Sequence, residues 1–140
     1  MTRIVVDASV IIKLYFQEDD SLVAEQRLAQ AEELLAPELI WIEIANAIWK
    51  RRRRGEISDA AASGILMQAM RLPLHIHPSA DLLDDALRLA IGHDRTVYDS
   101  LYLALAVGTR SVMVTADRRL VRSLAGTPLA KHVAWIGDPP

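Results

Sequence analysis

The stretch TVYDSLYLALA, residues 96–106, has the pattern of a helix that is buried inside a protein. Apolar side chains recur at spacings of three and four, which gives the helix one apolar face, at Tyr98, Leu101, Tyr102 and Leu105. Leucine, alanine and valine fill most of the remaining circumference, so we expect the helix to be covered on both sides. Asp99 lies near the start of this helix, and an ionised carboxylate is costly to bury unless a partner compensates its charge.

Two explanations for Asp99 are open at this point. In the first, Asp99 is the N-cap of the helix, so that its carboxylate accepts backbone N–H bonds and meets the positive end of the helix dipole. In the second, Asp99 joins other acids around a bound cation. The remainder of the sequence has to distinguish a capping residue from a metal ligand.

The composition is that of one globular domain. The chain has 140 residues, of which 51% are hydrophobic, and we expect residues 1–140 to form a single domain. It contains no cysteine, which excludes thiol nucleophiles and thiolate metal sites. The start MTRIVVDASV lacks a signal-peptide pattern and no stretch resembles a membrane span, so we expect a cytoplasmic protein. A net charge of −2 provides no overall attraction to nucleic acid.

Strand and helix patterns alternate along the chain. Short β-branched or apolar runs predict strands at 2–6, 34–36, 74–77, 111–115 and 133–136. Helical periodicity and capping signals predict helices at about 9–16, 21–31, 39–54, 58–72, 79–92, 98–107 and 117–124. This alternation predicts a three-layer α/β/α sandwich with a central parallel sheet.

Two acids follow predicted strands directly. Asp7 follows the first strand, and Asp117 follows the strand SVMVT with one alanine between. Ligands of parallel α/β folds bind outside the carboxyl ends of the strands. The two carboxylates are therefore expected at the same edge of the sheet.

A third acid lies within the helix LIWIEIANAIWKRRRR, which is apolar almost all round. Glu43 is more than a turn inside this helix, so capping cannot explain it. Asn46 and Lys50 follow at spacings of three and four and form one polar stripe with it.

Clustering of Asp7, Glu43, Asp99 and Asp117 without a counter-charge would raise their pKa values and destabilise the fold. A hard divalent cation resolves this conflict, since oxygen-only ligands suit Mg²⁺ or Mn²⁺. Such a site hydrolyses phosphodiesters through one metal ion or two. The chain contains neither a glycine-rich phosphate loop nor a G-x-S-x-G nucleophile elbow.

Four segments in order, VVDASV, PELIWIEIANAI, TVYDSLYLALA and VTADRRL, resemble the PIN domain, specifically the VapC ribonuclease toxins of toxin–antitoxin pairs. The resemblance implies a PIN-like fold in which Asp7, Glu43 and Asp99 bind the metal and Asp117 is the fourth catalytic acid. Three further polar side chains match supporting positions of the family, at Ser9, Asn46 and Thr115. Leu120 stands where many relatives have Phe, a difference that we expect to affect packing only.

The same resemblance implies a metal-dependent endoribonuclease that cleaves RNA, forms a homodimer and is neutralised by a small VapB-type antitoxin. Relatives with this fold also process RNA, or cut DNA, outside toxin–antitoxin pairs, which is the first alternative. A receiver-like Mg²⁺-binding module is less favoured, because VVDASV has one acid and VTAD has no lysine. In a binding or scaffold protein without catalytic activity, the pattern of four acids would be a coincidence.

Two further features have open interpretations. The basic run KRRRRG and the neighbourhood of Asp117 suggest contacts with RNA phosphates, at Arg51, Arg52, Arg53, Arg54 and Arg118. The alternative is a solvated helix end whose cations complement the helix dipole. An apolar stripe from Trp41 to Trp49 is either core or, where exposed, a groove for an antitoxin segment that inserts an arginine among the carboxylates.

Overall fold

The structure, a computed structural model, describes residues 2–139. Its centre is a sheet of parallel strands in the order β3-β2-β1-β4-β5. The strands are β1 (Arg3–Val6), β2 (Glu33–Pro37), β3 (Leu74–His77), β4 (Val112–Thr115) and β5 (Val133–Trp135). The predicted α/β sandwich with a central parallel sheet is confirmed.

The helices lie between these strands along the chain. They are α1 (Ala8–Ile12), α2 (Ser21–Ala29), α3 (Leu39–Arg53), α4 (Asp59–Ala69), α5 (Ser79–His93), α6 (Val97–Gly108) and α7 (Arg118–Leu124), and a 3₁₀ turn at Ala130–His132 precedes β5. Because crossovers between parallel strands are right-handed, α1 to α4 cover one face of the sheet and α5 to α7 the other. Among the described residues, no helix has the length and apolar character needed to cross a bilayer.

The core lies on both faces of the central strand. Val5 and Val6 are fully buried, as expected for a strand between two helical layers. The helix α6 is buried over most of its circumference, with seven consecutive buried residues from Ser100 to Ala106. The burial predicted for the stretch 96–106 is therefore confirmed.

Several helix ends differ from the sequence-based expectation. The first helix ends at Ile12, not at residue 16, because the backbone there tightens into turns in which Lys13, Leu14 and Tyr15 bond three residues back. Ser79 is the first residue of α5 and does not cap it, since its hydroxyl accepts a hydrogen bond from the backbone N–H of Leu39. The C-terminal signal of α3 is confirmed, with Gly55 at φ +76°.

The strand order places β1 and β4 side by side at the point where the order of connections reverses. Val6 is paired with Val114, and the backbone N–H of Asp7 donates to the carbonyl of Val114. A crevice at the carboxyl ends of the strands is expected at this reversal point. The residues after β1 and β4, Asp7 and Asp117, border it.

Candidate active site

A cavity of about 670 Å³ opens at the carboxyl ends of β1 and β4. Five carboxylates from five separate segments line it, namely Glu18 and the four predicted to converge, Asp7, Glu43, Asp99 and Asp117. Asp7 follows β1, Glu43 lies on α3, Asp99 is in the first turn of α6, and Asp117 precedes α7. The sheet and the two helices thus bring together the acids that the sequence singled out.

Asp7 is held by two hydroxyl groups. Its Oδ2 accepts hydrogen bonds from Ser9 Oγ at 2.9 Å and from Thr115 Oγ1 at 2.8 Å. Burial raises the pKa of Asp7, and the hydrogen bonds from Thr115 and Ser9 partly oppose this rise because they stabilise the ionised form. Ser9 and Thr115 therefore contact the acid that they were expected to support.

Glu43 has a partner that the sequence analysis missed. The hydroxyl of Tyr102 donates a hydrogen bond of 2.5 Å to Glu43 Oε1. Burial raises the pKa of Glu43, the Tyr102 bond opposes the rise, and the negative charges of Asp7 and Asp99 add to it. Tyr102 was assigned to an apolar face, although its position three residues after Asp99 places it on the same side of α6.

Asp99 is not the cap of its helix. The N-cap is Thr96, whose Oγ1 accepts a hydrogen bond of 3.1 Å from the backbone N–H of Asp99. The capping explanation for Asp99 is therefore wrong. Burial raises the pKa of Asp99, and the negative charges of Asp7 and Asp117 raise it further against the weaker opposing effect of Arg95.

Asp117 has a structural task in addition to facing the cavity. Its Oδ1 accepts hydrogen bonds from the backbone N–H groups of Arg119 at 3.0 Å and Leu120 at 3.2 Å, which caps α7. Its own backbone N–H donates to Thr115 Oγ1. Thr115 therefore connects the first acid and the fourth.

The donor chemistry of the cavity suits a hard divalent cation, because the acids provide only oxygen atoms and three of them have raised pKa values. Across residues 2–139, however, no group of three or more acidic or histidine side chains is arranged as a finished metal site. Mutual repulsion of uncompensated carboxylates favours such separation. The carboxylate oxygens suit a divalent cation, but the side chains have to move closer together to coordinate it.

Two lysines line the cavity, and the predicted arginines do not. Lys13 and Lys50 border it, together with Asn46 from the polar stripe of α3. Lys13 Nζ lies 2.6 Å from Glu18 Oε2. Lys50 was predicted on the polar stripe of Glu43 and within the basic run, whereas Lys13 was not singled out, because it is an isolated cation in the sequence.

The arginines that follow Lys50 do not line the cavity, and each contacts a neighbouring side chain. Arg51 pairs with Glu18 and Glu56, Arg52 pairs with Asp59, and Arg53 stacks on Trp49, while Arg54 lies 3.9 Å from Glu56. Arg118 stacks on the ring of Trp135 at 3.7 Å. Contact of these arginines with RNA stays a prediction.

The chain is similar to known proteins over most of its length. The PIN domain family matches residues 4–124. The chain therefore belongs to the PIN-domain family. Within that family it lies among the VapC proteins, since Ribonuclease VapC3 of Pyrobaculum aerophilum is 41% identical over 120 residues, which cover 84% of this chain and 92% of the relative.

Two further comparisons add detail. Exonuclease VapC9 of the same organism is 31% identical over 121 residues, which cover 86% of this chain and 85% of the relative. A chain in a toxin–antitoxin complex from Klebsiella pneumoniae has a TM-score of 0.66 and 17% identity, covering 96% of this chain and 98% of that one. At 17% identity, the similarity to the Klebsiella pneumoniae chain establishes the fold alone.

Proposed function

We propose that this protein is a ribonuclease that hydrolyses RNA phosphodiester bonds with Mg²⁺ or Mn²⁺ and acts as the toxin of a toxin–antitoxin pair in the cytoplasm. The observation that carries the proposal is the convergence of Asp7, Glu43, Asp99 and Asp117 on one cavity. Three of these acids have raised pKa values in the absence of a counter-charge. The 41% identity to a ribonuclease supports the same reaction.

The four acids would hold the cation, which when bound supplies Lewis-acid polarisation and neutralises charge on the phosphodiester. Ser9 and Thr115 keep Asp7 oriented and favour its ionised form. Tyr102 fixes Glu43 in the same way. In the reaction, water forms a new bond to phosphorus, one P–O ester bond breaks, and the leaving oxygen gains a proton.

The direct test is cleavage of a single-stranded RNA by the purified chain with Mg²⁺ or Mn²⁺, with and without EDTA. We expect cleavage that EDTA abolishes and that Asp7→Asn or Asp99→Asn lowers at least about 100-fold, since each removes a charge from the site. Asp81→Asn, an acid in the first turn of α5 and outside the cavity, is the matched control. Cleavage that persists in EDTA would contradict the metal-dependent mechanism.

A second candidate is exonucleolytic cleavage, because one relative at 31% identity is named an exonuclease. The name of the more similar relative, a ribonuclease at 41% identity, does not distinguish between the two modes of cleavage. A circular single-stranded RNA distinguishes the two. An endonuclease linearises it, whereas an exonuclease leaves it intact.

For the antitoxin, the structure offers a second groove on α3. A cavity of about 280 Å³ lies between α3 and α4, and its apolar lining includes Ala45, Ile48, Trp49 and Leu66. Ile48 is buried, as the core interpretation expected, whereas Trp49 is exposed, so part of the Trp41–Trp49 stripe is accessible. A partner segment lying there would follow the helix that also carries Glu43 and could present an arginine to the carboxylates.

For the homodimer, α5 offers an exposed apolar stripe with a spacing of four, formed by Leu83, Leu87 and Ile91. Three acidic side chains precede Leu87 on this helix, at Asp81, Asp84 and Asp85, and Arg88, which follows it, pairs with Asp84. Two copies of α5 packed antiparallel would join the apolar stripes. An exposed apolar stripe of this kind is commonly an interface.

Processing of cellular RNA outside a toxin–antitoxin pair is the remaining alternative. Co-purification with the product of a neighbouring gene, followed by the cleavage assay, separates the two roles. Inhibition by that product is the result expected of a toxin, and unchanged cleavage would favour RNA processing.

A further inference from the structure

The active-site cavity has exposed apolar side chains in its wall as well as charged ones. Tyr98 and Ile42 both line it, and they are 61% and 70% exposed respectively. Exposure of large apolar side chains beside four carboxylates has no structural benefit, because neither side chain is needed to fill the core. Their presence at this position points to a ligand with an apolar face.

The apolar residues are grouped at one end of the cavity. Leu39, at the start of α3, and Val97, at the start of α6, pack against the same small core cluster. The N-terminal ends of the two helices therefore lie on the same side of the cavity. Tyr98 follows Val97 directly, and Ile42 lies one turn after Leu39, so both belong to this end.

The basic residues are grouped at the other end. Lys50 lies eight residues after Ile42 on α3, which corresponds to about 12 Å along the helix axis. Lys13 is placed beside the same part of α3, since it pairs with Glu18 and Glu18 also pairs with Arg51. Glu18 lies at this basic end with Lys13, whereas Glu43 follows Ile42 directly and Asp99 follows Tyr98 directly.

We propose that Tyr98, supported by Ile42, stacks on a nucleobase of the RNA next to the cleaved phosphodiester, while Lys50 binds a backbone phosphate on the other side of it. This proposal rests on the ribonuclease function proposed above and specifies how the substrate strand is oriented along α3. Every base has a π-face that an aromatic ring can stack on, and lysine ammonium groups bind phosphates. The stack requires an unpaired base, so the geometry selects single-stranded RNA or a loop.

Tyr98→Ala tests the stack, with Tyr98→Phe as the variant that keeps the ring and Met67→Ala as a matched control. Met67 is also 61% exposed but lies on α4, outside the cavity. We expect Tyr98→Ala to raise KM for a single-stranded RNA about ten-fold with a smaller effect on kcat, since stacking contributes to ground-state binding. Tyr98→Phe should restore KM, and Met67→Ala should not change it.

An abasic scan of the substrate identifies the stacked base. In the wild-type protein, one abasic position beside the cleavage site should raise KM about ten-fold, whereas in Tyr98→Ala the same position should have no further effect. The same comparison, made by fluorescence anisotropy with a phosphorothioate-linked RNA, measures binding without cleavage. Failure of the nuclease function and failure of the stacking interaction are therefore distinguishable.

For the basic end, Lys50→Gln should reduce the slope of log K against log salt by about 0.7, the value for one contact with a single strand.

An unchanged KM and anisotropy in Tyr98→Ala, or an abasic penalty that persists in this variant, would overturn the proposal. If Tyr98→Ala weakened only inhibition by a protein partner, Tyr98 would belong to that interface and the stacking proposal would be wrong.

Discussion

Tyr102 and Glu43 lie 59 positions apart in the sequence, and the Tyr102 hydroxyl donates a 2.5 Å hydrogen bond to Oε1 of Glu43. This bond joins α6 to α3 across the cavity that contains the four acids. Of the contacts to Glu43, it is the one that favours the ionised carboxylate, whereas burial and the neighbouring acids oppose ionisation. Tyr102 is therefore expected to hold Glu43 both in position and in its charged form.

Tyr102→Phe removes this hydrogen bond and keeps the buried ring. We expect cleavage to fall about three- to ten-fold and the free energy of unfolding to fall by about 1 kcal/mol. Because the hydrogen bond that lowers the pKa of Glu43 is lost, this pKa should rise, and the acidic limb of the pH–rate profile should move to higher pH. Tyr15→Phe, at a half-buried tyrosine outside the cavity, is the control, and an unmoved acidic limb would contradict the assignment.

Asp99→Asn should stabilise the fold while it abolishes cleavage. Burial and the charges of Asp7 and Asp117 raise the pKa of Asp99 above its ordinary value of 3.8, so the folded state binds more protons than the unfolded state. The stability of the wild type therefore falls as pH rises from 3.8 through the raised pKa. Without metal, the free energy of unfolding of the variant should exceed that of the wild type by up to about 1 kcal/mol at neutral pH, after allowance for solvent screening. Below pH 3.8 the two proteins should be equally stable.

Thermal unfolding of Asp99→Asn in EDTA at several pH values provides this measurement. Asp81→Asn is the matched control, since Asp81 lies in the first turn of α5 and removal of its charge loses a favourable interaction with the helix dipole. It should slightly lower the melting temperature. A destabilised Asp99→Asn would assign a structural role to Asp99.

Thr115→Val and Ser9→Ala each remove one hydroxyl donor from Asp7 Oδ2. Each hydroxyl also accepts a backbone N–H, that of Asp117 for Thr115 and that of Ala116 for Ser9, but Thr115 is fully buried and Ser9 is half-buried, so Thr115→Val should lower activity more, about ten-fold or greater. Thr115→Ser retains the hydroxyl and should recover most of the activity. The double variant should show non-additive loss, since both donors act on one oxygen atom. Strict additivity of the two losses in kcat/KM would argue against a shared action on Asp7.

Leu87→Arg tests the proposed dimer. Leu87 is the middle residue of the α5 stripe, so in an antiparallel pair it would meet its own copy, and two arginines there would repel. Sedimentation velocity should show a dimer for the wild type and a monomer for this variant. Leu22→Arg, at an exposed leucine on α2, should remain dimeric. A monomeric wild type would disprove the dimer.

Arg51→Ala should lower the free energy of unfolding by about 1–2 kcal/mol. Arg51 pairs with Glu18 and Glu56 and stacks over the ring of Phe16 at 4.6 Å, with only 22% of its side chain exposed. Arg54→Ala should change stability by less than about 0.5 kcal/mol, since its single pair is exposed and long. Equal effects in denaturant titrations would show that the pairs of Arg51 contribute little.

The choice of acids was predictable because each violated a local pattern. Asp7 ends a buried strand and Glu43 interrupts an apolar helix, so the sequence alone indicates that each carboxylate would be costly to bury without a partner. Asp99 also lines the cavity, although its capping alternative stayed open until Thr96 was found in the cap position. Lys50 was predicted beside Glu43 from helical spacing, whereas Lys13 was not predicted, because its approach to the cavity depends on tertiary packing.

The sequence by itself determined the order of strands and helices, the buried character of α6 and the acids at the ends of β1 and β4, because periodicity and strand ends depend on the backbone within a few residues. Tertiary structure alone decided that Tyr102 bonds to Glu43 and that Thr115 bonds to Asp7, over separations of 59 and 108 residues. It also decided that Lys13 and Lys50 line the cavity, whereas Arg51 and Arg52 do not line it and pair with Glu18 and Asp59. These contacts depend on helix packing and side-chain direction, which place groups distant in sequence within the few ångströms over which hydrogen bonds and ion pairs act.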